Sequence, residues 1–307
     1  MSATIAPSAP TTRPGTARNV GAAGAAADRS SLALRIGVTI AMVLAAVYFL
    51  LPVYWLVVAA TKSTSDLFST PGLWFADWHL MDNLKALTEY DGGIFWRWTA
   101  NSVLYSVVGS ALTTFVSALT GYAIAVYKFR GRGALLAVVL GSMLVPGTVL
   151  AQPTYVLLVR MGLDNTYAGV LLPALVYPFG VLLCYIFASS SIPPNLIEAA
   201  RLDGAGELRI FFTIGLRLMA SGMVTVLLFA FLGSWNSYML PLLVLTDQKL
   251  MPLTVGLTGW NQASITIPGL QTLVVIGALI SVIPIVVVFV SLQRYWKSGA
   301  AAGSVLL

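Results

Sequence analysis

The residues able to do chemistry are few and poorly placed for catalysis. His79 is the only histidine, and Cys184, the only cysteine, sits inside an apolar run, so neither a clustered metal site nor a disulfide framework can be assembled. Both read as ordinary surface and packing residues. No G-x-x-x-x-G-K-[ST] segment occurs, which leaves nucleotide binding through a P-loop to another polypeptide. The long apolar stretches carry no ionisable group at mid-depth, and that removes the usual means of coupling transport to ions or of building an embedded active site. Their polar groups are uncharged: Gln152, Tyr155, Tyr177, and the run Trp235, Asn236, Ser237 and Tyr238. Amides and hydroxyls beside aromatic rings suit a hydroxyl-rich solute, which they can hydrogen-bond and stack against. The same groups would equally serve to tie one helix to the next.

The other candidate is a charged island, Glu198 to Phe212, reading EAARLDGAGELRIFF. Pro193 and Pro194 suit the first turn of a helix, and Asn195 with Glu198 three residues on has the form of a capping box. Leu196, Ala199 and Ala200 then share one face, small enough for another protein's backbone to approach closely. Glu198 and Arg201 are spaced to pair at i+3. Asp203-Gly204 ends the helix, with Gly204 free to take a left-handed conformation. Leu208, Phe211, Phe212 and Gly215 restart an amphipathic pattern.

These groups must be held by membrane-spanning helices. A chain of 307 residues that is 58% hydrophobic and 9% charged has too little polar surface for a water-soluble domain, where about 25% is charged. Apolar runs at 36–60, 100–127, 134–159, 168–190, 217–245 and 271–293 each reach the roughly twenty residues that cross a bilayer. This predicts an all-α membrane protein with six spans. Residues 1–31 read as a disordered tail, 32–297 as the six-span domain with its charged loop at 191–217, and 298–307 as a second tail. The side holding both tails and the charged island carries 12 Lys and Arg against 4 acids, and the opposite side 5 against 7. The positive-inside rule places both termini and the island in the cytoplasm. The net charge of +6 therefore has a membrane explanation and implies no nucleic-acid partner.

Within that frame, Ser102, Ser106, Ser110, Thr114 and Ala118 recur at i+4 as a small-residue stripe for close helix packing. The opposite-side segment 61–98, with Trp74, Trp78, Trp96 and Trp98, reads as pieces lying at the outer interface. Pro146, Pro153, Pro173, Pro178, Pro241 and Pro284 fall in or beside the spans and can kink them, with Gly180 and Gly233 as bend points.

Glu198-Ala199-Ala200, a three-residue gap, Gly204, a nine-residue gap and Ile214-Gly215-Leu216-Arg217 resemble the signature loop of the permease subunits of binding-protein-dependent ABC importers. There the motif closes in Ile-x-Leu-Pro; here Arg217 replaces the proline. The segments LVPGTVLAQPTYVLLVRMGLDNTYAGVLLP from Leu144 and GSWNSYMLPLLVL from Gly233 are similar to the shorter permease of maltose-type systems, in the carbohydrate-uptake branch. Further family-like blocks extend the likeness from about Asn83 to Val305, and the ending Leu306-Leu307 departs from the usual Lys-containing one.

The resemblance implies the type I importer permease fold in the plasma membrane of a prokaryote, importing a mono-, di- or oligosaccharide. It implies a non-catalytic subunit that holds no cofactor, since ATP and Mg belong to two partner ABC ATPase subunits. A second, non-identical permease and an extracytoplasmic sugar-binding protein complete the set. Glu198, Ala199, Ala200, Arg201, Asp203 and Gly204 would form the helix that docks on the ATPase. An autonomous secondary carrier or channel is the alternative, and it would call for a coupling acid, a pore-lining ring or a tandem repeat.

Overall fold

The computed structural model describes residues 20–303, with side chains described from Leu34 to Gln293 and at Tyr295; among these residues the regular structure is helix, with no strand. Among the described residues, those up to Tyr54 form one unit and those from Trp55 a second. Helix α1, Val20–Ala60, already begins within the expected tail. Its first turns are the Ala-rich GAAGAAADR, and alanine loses no side-chain entropy on entering a helix. The rest of that expected tail, 1–19, lies outside the described residues, as does 304–307. The apolar side chains from Leu34 to Tyr54 are exposed along α1, as on a helix solvated by lipid.

In the larger unit, α2 (Asp66–Ser69) and the amphipathic α3 (Leu80–Glu89) lead through a turn into α4, Ile94–Val126. Then come α5 (Arg132–Ser142), α6 (Gly147–Arg160), α7 (Tyr167–Ala174), α8 (Pro178–Ser191) and α9 (Pro194–Leu202). α10 (Glu207–Ile210) runs through a π-helical turn, Phe211–Gly215, into α11 (Leu216–Leu218) and α12 (Ala220–Trp235). α13 (Met239–Val244), α14 (Leu253–Ala263) and α15 (Leu270–Gly303) complete the chain.

Among the described residues three helices are long and apolar enough to cross a bilayer unaided, and three bent pairs bring the total to as many as six. The expected spans at 134–159, 168–190 and 217–245 are thus each bent or broken. α5 and α6 meet at 104° and α7 and α8 at 41°, with Pro146 and Pro178 at the starts of the second members, where a missing N–H is tolerated. The third break, of 80°, falls at Met219 rather than at Gly233. It follows the π-turn, whose extra residue shifts the hydrogen-bond register. Gly180 lies inside α8, and Gly233 inside α12.

The organising element is α4, with α8 and α12 packed along it. Ser102, Ser106, Ser110, Thr114 and Ala118 are all buried, as their spacing predicts. Further along the same seam a Cβ added at Gly121 would stand 2.6 Å from the Cys184 Cβ, so only glycine allows α4 and α8 to approach this closely. At its other end α4 grips the short 3-10 turn Gln248–Leu250 and the residues that lead from it into α14. Asn101 donates to the carbonyls of Lys249 (2.8 Å) and Met251 (3.0 Å), Tyr105 donates to that of Leu250 (2.9 Å), and the Ser102 hydroxyl accepts from the Leu253 N–H (2.7 Å). Backbone groups left free where these helices end are thus satisfied by side chains. Phe95 and Trp98 belong here as well. Both are buried in a cluster with Trp235, Trp260 and Leu270, while Trp74, Trp78 and Trp96 stay exposed.

Candidate functional site: an exposed elbow and a cavity joined by one helix

The charged island folds as an elbow beyond the end of α8. After Ile192 and Pro193 in extended conformation, α9 starts on Pro194. Asn195 is inside the helix and no side chain caps it, so the expected capping box is absent: Pro193 fixes the entry, and the helix begins at Pro194, too early for Asn195 to be the cap. α9 anchors itself by Ile197, 3% exposed in a cluster with Ile210, Phe211 and Tyr122. Burying such a side chain is worth roughly 1.5–3 kcal/mol. Leu196, Glu198, Ala199, Leu202 and Asp203 face outward and Ala200 is half-buried, which leaves a small-residue ridge with apolar flanks available to a partner.

The C-terminus of α9 is closed by two reciprocal bonds. Gly204 N–H reaches the Arg201 carbonyl and Ala205 N–H the Ala200 carbonyl, both at 3.0 Å. Gly204 has φ +78°, the left-handed position such a stop needs. The turn also decides the partner of Arg201. In place of Glu198, Arg201 binds Glu207 from the far arm of the elbow, with Nε to Oε1 at 2.7 Å and Nη2 to Oε2 at 3.2 Å. The reversal at Gly204 carries Glu207 back to Arg201, whereas Glu198 stays on the outer side of α9. The Tyr127 hydroxyl, just past the end of α4, donates to Glu207 Oε2 at 2.8 Å, and the Arg201 guanidinium lies 5.9 Å from the Tyr127 ring centroid. Hydrogen bonds from Arg201 and then Tyr127 hold the Glu207 carboxyl below the usual range. Burial, followed by the bond to Glu207, pushes the Tyr127 phenol up to about 12. Glu207 and Tyr127 were not among the sequence candidates. The only hint was an acid placed just beyond the turn that follows Arg201.

The restarted pattern after the elbow is half as expected. Phe211 and Gly215 are buried, but Leu208 and Phe212 are exposed and Ile210 takes the inner position. Between the elbow and the end of α4 lies a notch of about 690 Å³ lined by Tyr127, Lys128, Arg132, Tyr185, Glu198 and Arg201 among others.

A larger cavity of about 930 Å³ lies between α4, α6, α7 and the junction of α12 with α13. Its walls are mostly apolar (Leu150, Leu157, Val170, Leu240), and polar groups come from Thr148, Thr154, Tyr177, Ser234, Asn236 and Tyr238. Of the sequence candidates, Tyr177, Asn236, Ser237 and Tyr238 reach it. Trp235 does not: it is buried against Phe231, their rings stacked at 5.9 Å, because one residue of helix turns it about 100° away from the side Asn236 faces. Gln152 is exposed on α6 beside the lining residue Ala151, and Tyr155 packs instead on the cluster of Tyr105 and Leu158. Thr113 of α4 lines the cavity, so the helix whose end meets the elbow also forms part of the cavity wall. Among the described residues no group of three His, Cys, Asp or Glu could hold a metal.

Comparison with known proteins fits this arrangement. The arabinooligosaccharides transport system permease protein AraQ of Halalkalibacterium halodurans is 35% identical over 70% of this chain and 76% of its own length. Its namesake in Bacillus subtilis is 31% identical over 88% and 95%. The lactose transport system permease protein LacG of Rhizobium radiobacter is 32% identical over 83% and 91%. Among solved structures, a bacterial ABC transporter involved in import of the acidic polysaccharide alginate superposes with a TM-score of 0.75 at 22% identity, covering 87% of this chain and 98% of that one; this establishes the fold. The model of the family described as binding-protein-dependent transport system inner membrane component matches residues 93–299, a range that takes in α4, both arms of the elbow and every wall of the cavity, and the chain belongs to that family.

Proposed function

We propose that this chain is one permease subunit of an ATP-driven importer for a sugar, in the plasma membrane of a prokaryote, with both termini and the elbow in the cytoplasm. The supporting observation is the construction of the elbow: a short, rigid, small-faced helix held outside the apolar body by two proline residues, one left-handed glycine and one buried isoleucine. Nothing in such an element binds nucleotide. It suits docking into a groove of an ABC ATPase, two copies of which supply ATP and Mg sites while this subunit remains non-catalytic. Closure of the ATPases would displace α9. Ile197 and its neighbours would pass that displacement to α4, whose other face lines the cavity.

The cavity wall, apolar with hydroxyls from Tyr177, Ser234 and Tyr238 and the Asn236 amide, matches a sugar's alternation of C–H faces and OH groups. Named relatives carry arabinooligosaccharides and lactose, which supports an oligosaccharide or disaccharide here. A second, non-identical permease would close the open side of the cavity, and an extracytoplasmic binding protein would deliver the solute. The test is reconstitution of the four-subunit complex with its binding protein in liposomes. Arabinooligosaccharides, lactose, maltose and glycerol 3-phosphate are offered in turn, and both ATP hydrolysis and uptake are read. Stimulation by a saccharide is expected; uptake by this chain alone, without ATPase subunits, would overturn the reading.

A further inference from the structure

Arg201, Glu207 and Tyr127 come from three different elements, the C-terminal end of α9, the start of α10 and the residue after α4, yet they converge on one carboxylate. Glu207 accepts two bonds from Arg201 and one from Tyr127. The Arg201 guanidinium also lies against the Tyr127 ring. Tyr127 is 80 positions from Glu207 along the chain, and its ring meets Tyr122 of α4 edge-on at 6.0 Å. Tyr122 is in turn packed on Phe211 at 5.1 Å. The geometry points to a latch: the three side chains close the two arms of the elbow on each other and fasten both to the end of α4, making them positioning residues for coupling. Resting on the proposed function, this names the members of a polar link that carries displacement of α9 into α4, beside the apolar link through Ile197.

The physical case is one of stiffness. α9 and α10 are joined by four residues, Asp203 to Gly206, and a lone glycine turn can open by rotation about its own dihedrals. A two-pronged Arg–carboxylate fork fixes direction as well as distance, and the phenol ties that fork to α4. The side chains of Arg201 and Glu207 are 41% and 46% exposed, so the pair is screened. Exposed pairs shift an equilibrium by roughly 1.5- to 5-fold, and the effect expected of the latch is a graded loss of coupling with assembly retained.

The full importer in nanodiscs, carrying spin labels at Lys128→Cys and Leu202→Cys, provides the test. The distance distribution between the labels is measured by pulsed electron resonance without nucleotide and with MgATP and vanadate. With the latch intact the distribution is expected to be narrow and the same in both states, because α9 and the end of α4 move together. Glu207→Gln, Glu207→Ala and Tyr127→Phe should each broaden it and make it nucleotide-dependent, with a few-fold fall in vanadate-trapped ATPase. The exchanged pair Arg201→Glu with Glu207→Arg should narrow it again. If the intact protein already shows a nucleotide-dependent distance, if Glu207→Ala leaves the distribution unchanged, or if the exchanged pair behaves like the single variants, the latch is wrong. If no ATPase co-purifies with the unsubstituted chain, the proposed function itself fails, a separate result.

Discussion

Replacing Gly121 by alanine should loosen the seam between α4 and α8, by an amount the structure sets. The new Cβ would stand 2.6 Å from both the Cys184 Cβ and the Tyr185 backbone nitrogen, about 1 Å inside ordinary contact. Neither atom can rotate aside, so the helices must separate. Overpacking of this kind costs roughly 1–3 kcal/mol, and the upper half of that range applies where backbone is struck. Alanine returns about 1 kcal/mol of helix propensity, for a net loss of about 1–2 kcal/mol. Gly109 of the same helix is the control, because there a Cβ meets its nearest neighbours, Leu171 and Ser234, at 3.6 Å, and Gly109→Ala should be neutral or stabilise by up to about 1 kcal/mol. The two variants therefore differ by about 1–3 kcal/mol, which at about 2–4 °C per kcal/mol for chains near this size separates their melting by about 2–12 °C. Cys184, the sole cysteine, is fully buried against Gly121, so the onset of maleimide labelling on heating in detergent reports this seam directly. Equal onsets for Gly121→Ala and Gly109→Ala, or a later onset for Gly121→Ala than for the unsubstituted protein, would refute the reasoning.

Gly204→Ala meets no atom within 4 Å but must hold φ +78°, a strain of about 1–2 kcal/mol; faster hydrogen exchange at the amides of 204 and 205, with an unchanged Cys184 labelling onset, is the expected result. Asn101→Ala removes the donor to two carbonyls and the acceptor of the Tyr167 hydroxyl. Leaving such groups unpaired costs about 1–3 kcal/mol, readable as earlier Cys184 labelling. Glu207, with its pKa lowered from 4.5, contributes stability that is complete above that value and lost as pH falls through the lower folded one. Tyr127, raised from 10.0 to about 12, withdraws its contribution as pH climbs from 10 to 12, so the label distance across the elbow should stay narrow from pH 4.5 to pH 10 and broaden below and above that window. Thr154→Trp, which places an indole in the cavity, should reduce uptake while ATPase subunits still co-purify; undiminished uptake would place the solute elsewhere.

How much of this was readable beforehand depends on what water and lipid each leave visible in a sequence. Gly204 could be read because its role is local: one residue must take positive φ, and Asp-Gly after an amphipathic run announces it. The partner of Arg201 could not, since i+3 spacing on α9 favours Glu198 and only the closed turn brings in Glu207, with Tyr127 arriving from a remote helix. The break at Met219 was likewise hidden. Proline and glycine mark the bends at Pro146 and Pro178, but a π-turn has no residue signature of its own.

The packed positions of Trp235, Tyr155 and Trp98 were hidden in the sequence for one physical reason. In water an apolar stripe marks the face that turns inward; in α4 the sign is reversed. Its exposed face carries Val103, Val107, Leu112 and Val116, and its buried face Ser102, Ser106, Ser110 and Thr114. Lipid solvates the valines as well as a protein core would, so burial selects small residues that let helices approach and polar ones that need partners. Where that criterion applied, along α4, the inner face was identified residue by residue. At the end of α12 it gave no direction, because Trp235, Asn236, Ser237 and Tyr238 are consecutive, and consecutive residues on a helix point to different sides. Asn236, Ser237 and Tyr238 all reach the cavity because they lie between the end of α12 and the start of α13, a boundary that hydropathy runs straight across.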